Sequence, residues 1–394
     1  MLKYPIPASY TVQAFSLVFA VLVGAFAGLA WAQPSDTQRL YQQAEQSLAQ
    51  GKFQEAVENF RAILGQFPSD LRALNGLGVA LAQQREYKQA IEVYRKALAI
   101  DPRAAGTHLN LGLAYFKMGD FRSAVPPLKR ASELEPANLQ AETLLGMAYY
   151  ATGRFADAAR NLERVAQRQP ENTQLLYVLA ESYLWSGQYQ KVLQIFSGLQ
   201  REHPQSAAAH MLMAEALDGL DRTTQAIEEF QAAAAVAPDE PNVHFGLGYL
   251  YWKQKKFDQA EQEFRKELKN DPGQAQAMAY LGDIYFRRGE LEEASRLLHD
   301  ALKLKKNLHI AHLDLGRIYE KRKEYPQAVA ALKEAIRIEP SRADAHYRLA
   351  LTYQAMGKTK EAEAESKLAQ QLQAKTREVL LHKVSGEAPK LPVE

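Results

Sequence analysis

The 394-residue chain contains no cysteine, which excludes disulfides, thiol nucleophiles, cysteine-ligated zinc and the lipidated cysteine of a bacterial lipoprotein. Net charge is also scarce: 48 Lys and Arg stand against 46 Asp and Glu, a formal +2. Setting aside Lys3, the single charge of the first 32 residues, leaves the remainder closer still to neutral. Such a balance advertises neither a nucleic acid nor a strongly acidic partner. Phosphate-binding glycine loops are missing, no serine sits in a nucleophile-elbow context, and the carboxylate pair Glu292-Glu293 falls on a hydrophilic helix face. No cofactor and no catalytic activity are expected. Long hydrophobic runs are rare as well, and the longest, Ala14 to Leu29, is broken only by Ser16.

That run follows Lys3, and Ala30-Trp31-Ala32 before Gln33 has the small-x-small form of a signal-peptidase site. Residues 1–32 therefore read as an export signal cut between Ala32 and Gln33. An uncleaved anchor is the alternative, since a helix from Ala14 to Ala32 would be about 28 Å long against a hydrocarbon core of roughly 30 Å. Either reading places the rest of the chain outside the cytoplasmic membrane. The expected location is the bacterial periplasm, with a tether to the inner membrane as the other possibility.

What the chain does have is a period. Shifted by 34 residues, Leu111-Gly112 meets Leu77-Gly78 and Leu145-Gly146, while Phe121, Ala124 and Pro136 meet Tyr87, Ala90, Pro102 and Phe155, Ala158, Pro170. Within one unit, Leu111, Ala114 and Tyr115 recur at helical spacing, Gly119-Asp120 interrupts, and Phe121, Ala124, Leu128 and Ala131 resume until Pro136. Each unit is thus a helical hairpin. Gly112 lets the second helix lie close, and Gly119 can take the left-handed conformation that ends the first. A single hairpin buries too little to stand alone, so neighbouring copies must supply the rest.

These residues resemble the tetratricopeptide repeat, with its Leu-Gly, Tyr, Gly, aromatic, Ala and Pro at fixed offsets. Units begin at Thr37, Leu71, Ala105, Leu139, Thr173, Ala207, Pro241, Ala275, His309 and Ala343, ten of them over residues 37–376 without an insertion. The resemblance implies an all-α, right-handed α-α superhelix, and a non-enzymatic scaffold that binds proteins or peptides on the concave face. In that family the first helix of each repeat lines the concave face, mainly through positions 2, 5, 9, 12 and 13. Here those positions hold Leu109, Leu113, Phe116, Met147, Tyr150, Tyr177, Leu184, Trp185, Met211, Phe245, Tyr249, Trp252 and Phe286, with Tyr280 beside them. A contiguous apolar strip of this kind marks a binding groove, and Trp185 and Trp252 are its expected anchors.

The clamp that some family members use for a peptide carboxylate is not matched, because Glu45, Val79 and Leu113 stand where its Asn would be. RNA-reading relatives differ too, with a 35-residue period and a basic groove. The resemblance points to envelope assemblies for pilus biogenesis, secretion or polysaccharide export. A membrane-tethered spacer without a specific ligand is the competing reading.

Several copies depart from the pattern. His108, His210, His244, His312 and His346 share the fourth position, a regularity that favours packing between helices over a metal site, which His309 and His312 alone could suggest. The unit from Ala207 to Glu240 holds seven acids against Arg222; it is either a solvated acidic face or a dock for a basic segment. Pro126 and Pro127 predict a distorted first turn in their helix. The last unit lacks its aromatic and Pro, so a capping helix is expected to run from about Lys360 toward Val384, ahead of a disordered tail from Ser385 to Glu394.

Overall fold

A computed structural model of the chain describes residues 36–202 and 206–385; the Ala32–Gln33 junction and the tail beyond 385 lie outside them. Among the described residues every regular element is an α-helix and there are twenty of them. Contacts divide the chain after Pro102 into two compact units. In the first, α1 (Asp36–Ala49) pairs with α2 (Phe53–Gln66) and α3 (Leu71–Gln83) with α4 (Tyr87–Ile100).

The second unit continues with α5 (Ala105–Lys117), α6 (Phe121–Leu134), α7 (Leu139–Ala151), α8 (Phe155–Arg168), α9 (Thr173–Trp185), α10 (Tyr189–Glu202), α11 (Ala207–Gly219) and α12 (Thr223–Val236). It closes with α13 (Val243–Lys253), α14 (Phe257–Asn270), α15 (Ala275–Arg288), α16 (Leu291–Leu304), α17 (His309–Lys321), α18 (Tyr325–Ile338), α19 (Ala343–Ala355) and α20 (Thr359–Ser385). Each odd-numbered helix packs on the even one after it, and each hairpin on the next within its unit. Burial is continuous along such an array because every hairpin core borrows side chains from its neighbour, as where Leu162 and Val165 of α8 share a cluster with Leu175 and Leu179 of α9.

The local reasons repeat with the period. Asp70, Asn138, Asn172 and Ser206 each precede a first helix and accept from the amide three residues on, Asp70 Oδ1 from Ala73 N at 2.9 Å and Asn138 Oδ1 from Ala141 N at 3.1 Å. A Cβ placed on Gly112 would come within 2.5 Å of Leu128, so the absence of a side chain sets how closely α5 and α6 approach.

At the turn inside each hairpin one residue is left-handed: Gly51, Gly119, Gly153, Gly187, Gly289 and Gly357 at φ between 73° and 86°, and in the remaining hairpins Arg85, Asp221, Lys255 and Lys323 at φ between 58° and 63°. The register therefore imposes the left-handed turn even where no glycine supplies it cheaply.

Two local expectations meet corrections. Helix α6 runs unbroken through Pro126 and Pro127 from Phe121 to Leu134. The prolines leave the carbonyls of Arg122 and Ser123 without their helical donors, and these lie at the open first turn, where water reaches them. Helix α13 starts at Val243 rather than Pro241, because Asn242 is left-handed at φ 70°. There Glu267 of α14 takes over the capping, accepting from Asn242 N at 2.8 Å and Phe245 N at 3.0 Å. No helix among the described residues is long and apolar enough to cross a membrane.

Candidate partner-binding surface

Parallel first helices one period apart set residues 34 positions apart in columns. In the second unit one column reads Met147, Glu181, Glu215, Tyr249, Asp283, Arg317, and the next reads Tyr150, Leu184, Asp218, Trp252, Phe286, Glu320. Residues of the second column reach the first column of the following helix. Tyr150 Oη donates to Glu181 Oε2 at 2.5 Å, Trp252 Nε1 donates to Asp283 Oδ2 at 2.6 Å, and the Arg317 guanidinium lies 4.1 Å from the Phe286 ring centroid. The wall is thus stitched by donors and acceptors as well as by apolar contact.

This stitching sorts the residues expected to line a groove. Phe245 is a correction: it is 0% exposed, its ring 5.8 Å from Phe264 and 5.9 Å from Tyr280, so it serves as core between α13, α14 and α15. Leu109, Tyr150 and Phe286 are at most 9% exposed and offer only edges. Phe116, Met147, Tyr177, Trp185, Met211, Tyr249 and Trp252 remain half-buried, open on one side.

The two anchors are unlike. Trp252 is locked, with its indole N–H held by Asp283 and its ring 4.9 Å from Tyr280 and 6.2 Å from Tyr249. Trp185 rests against Phe155 at 6.2 Å. Tyr177 Oη lies 2.6 Å from Ser206 Oγ.

The acidic unit also resolves. Asp221, Glu228 and Asp239 are exposed, and Glu229 lies 2.6 Å from His210 Nδ1 across the hairpin. The same link recurs as His244 to Glu263 and His346 to Glu365, each 2.6 Å and nineteen residues apart. The fourth-position histidines at 210, 244 and 346 therefore tie first helix to second. His309 and His312 contact separate carbonyls, those of Ala335 and Lys306.

Glu215 and Asp218, by contrast, sit in the wall columns. Asp218 Oδ1 accepts from Lys253 Nζ at 2.7 Å. Burial, then the charges of Glu181 and Asp218, push the Glu215 carboxyl up to about 8. Burial likewise raises Glu181, against the opposing hydrogen bond from Tyr150, and raises Glu320, against the bond from Thr352. Further along, burial and Asp283 raise Asp314, although Arg317 Nη1 donates to it at 2.7 Å. Sequence reasoning selected the aromatic members of these columns and noted the acids of the 207–240 unit, without placing Glu215 and Asp218 in the same wall. The signal was there, because Glu181, Glu215 and Asp283 share one register position.

Comparison with known proteins agrees with the architecture. The family model described as the cilia and flagella-associated protein 70 C-terminal domain matches residues 27–245. Tetratricopeptide-repeat models match residues 245–308, 316–357 and 343–376. No curated protein sequence matches. Among solved structures, yeast Tom70 aligns at 15% identity over 89% of this chain and 99% of its own, with a TM-score of 0.41. MamA aligns at 23% identity over 42% and 97%, with a TM-score of 0.35. YrrB, described as a TPR protein with an unusual peptide-binding site, aligns at 19% identity over 48% and 97%, with a TM-score of 0.36.

Proposed function

The chain belongs to the tetratricopeptide-repeat family, whose models match residues 245–308, 316–357 and 343–376, and from that premise we propose that it is a non-enzymatic scaffold that holds protein segments against the first-helix wall of its second unit. One observation carries the reading: Met147, Trp185 and Met211 stay half-buried on successive first helices, with no bond that consumes them, whereas Phe245 and Trp252 of α13 are engaged by Tyr280 and Asp283 of α15. Unabsorbed aromatic and sulfur side chains in a row are the chemistry of an adaptable contact surface. An extended or helical partner segment would lay apolar side chains on that strip, and the charged residues beside it would set its register.

The scaffold would work on the periplasmic side of the inner membrane, released by cleavage after Ala32, a placement supported by the signal-like residues 1–32. One experiment addresses both points. Crosslinked partners are recovered from the cell envelope with the wild-type chain and with Trp185→Ala, and the N-terminus of the recovered chain is sequenced. The proposal expects a mature chain that begins at Gln33 and a several-fold loss of capture in the variant. Equal capture by the two proteins would reject the strip as the binding surface, and an intact Met1 would reject cleavage.

A further inference from the structure

Glu215 stands out among the wall carboxylates because its neighbours are all matched. Tyr150 donates to Glu181, Lys253 to Asp218, Trp252 and Arg287 to Asp283, and Thr352 to Glu320. At the register that Tyr150 and Trp252 occupy on their own helices, α9 carries Leu184, which has no donor to offer. The side chain of Glu215 is enclosed by protein on most sides yet keeps one side open on the wall. Met211 lies one helical turn before it on the same face, and Trp185 stands on the preceding first helix.

A deep carboxylate with no hydrogen-bond or ionic partner among the described residues costs stability. Its surroundings define what would satisfy it. Two further carboxylates, Glu181 and Asp218, make the spot negative, so the missing group is a cation. The apolar flank of Met211 and Trp185 fits the methylene stem of Lys or Arg, whose head alone seeks charge.

Resting on the scaffold reading above, we infer that Glu215 is the seat for a Lys or Arg side chain of a bound extended protein segment whose flanking residues are apolar. The groups that act on this seat are Glu181 from α9, Asp218 on its own helix α11, and, through those two, Tyr150 of α7 with Tyr249 and Lys253 of α13. Docking a cation ionises Glu215, so its proton passes to solvent. Affinity then climbs with pH until the free carboxyl is itself ionised.

The test pans a library of random linear peptides against the full chain and measures the strongest binder by calorimetry. The expected motif is a Lys or Arg with apolar neighbours. Norleucine in place of that cation, or Glu215→Gln in the protein, should weaken binding at least about tenfold. Wild-type affinity should rise between about pH 6 and pH 8, and that of Glu215→Gln should stay flat. Matched helical circular dichroism would establish that the variant is folded. Peptides that need Trp185 yet show no basic preference, or that bind Glu215→Gln unchanged, overturn the seat and leave the scaffold standing. Recovery of no peptide that depends on Trp185 or Met211 overturns both.

Discussion

A carboxyl group held near 8 in the folded chain, against an ordinary 4.5, stores a penalty. Glu215 binds its proton more tightly when folded, so the native state holds more protons than the unfolded one between those two values. Stability contributed at this position is therefore intact below about pH 4.5 and falls as pH rises toward 8. Replacing Glu215 with Gln removes the titration while keeping shape. Denaturant melts should show the variant level with wild type near pH 4.5 and more stable by about 1 to 3 kcal/mol near pH 8. A constant difference across that range would contradict the assignment.

The same scale shows where sequence reading stops. The residue types of the wall follow from position in the period, but whether an aromatic is open or absorbed depends on its neighbours. Phe245 is buried and Trp252, though half-buried, is locked, because Tyr280 and Asp283 of the next first helix fill the space and supply the acceptor. Trp185 is not, because it stands one position past that register, which Leu184 fills on α9, and its ring rests on Phe155 instead. Sequence spacing could align those residues and still not weigh the contacts.

At the scale of the element, the hairpin was almost wholly legible. First helices begin at Leu71, Ala105, Leu139, Thr173, Ala207, Ala275, His309 and Ala343, the residues the 34-residue period selects. The exceptions have causes that periodicity does not carry: a left-handed Asn242 delays α13, and an open first turn tolerates Pro126 and Pro127.

The turn is where the period costs energy. Lys255 is held at φ 62° at the register glycine fills in other hairpins, a conformation that costs an L-residue about 1 to 2 kcal/mol. Lys255→Gly should relieve that strain and, after the extra freedom glycine gives the unfolded chain, gain about 0.5 to 1 kcal/mol. Gly119→Ala, at φ 76°, should lose about 1 kcal/mol. Urea midpoints would measure both, and a loss on Lys255→Gly would show that its turn is unstrained.

At the scale of the whole molecule, hairpins too small to persist alone are stabilised by the neighbours they pack against, and the first helices are left as a wall. Within the second unit that wall is unevenly furnished. Toward α7, α9 and α11 it is sulfur-rich, aromatic and acidic, whereas α17 contributes Arg317, Glu320 and Lys321, of which Arg317 and Lys321 stack on Phe286. Period alone places the wall. Its division into a locked part and an open part needed the hydrogen bonds and ring contacts.

The most direct test of the account places a photoreactive amino acid either at Met211, half-buried on the first-helix wall, or at Glu228, exposed on the second helix of the same hairpin. After irradiation in cells, partner adducts should form from position 211 and be several-fold scarcer from position 228. Adducts equally abundant from the two positions, or dominated by position 228, would mean that partners are held by the outer helices and would contradict the account.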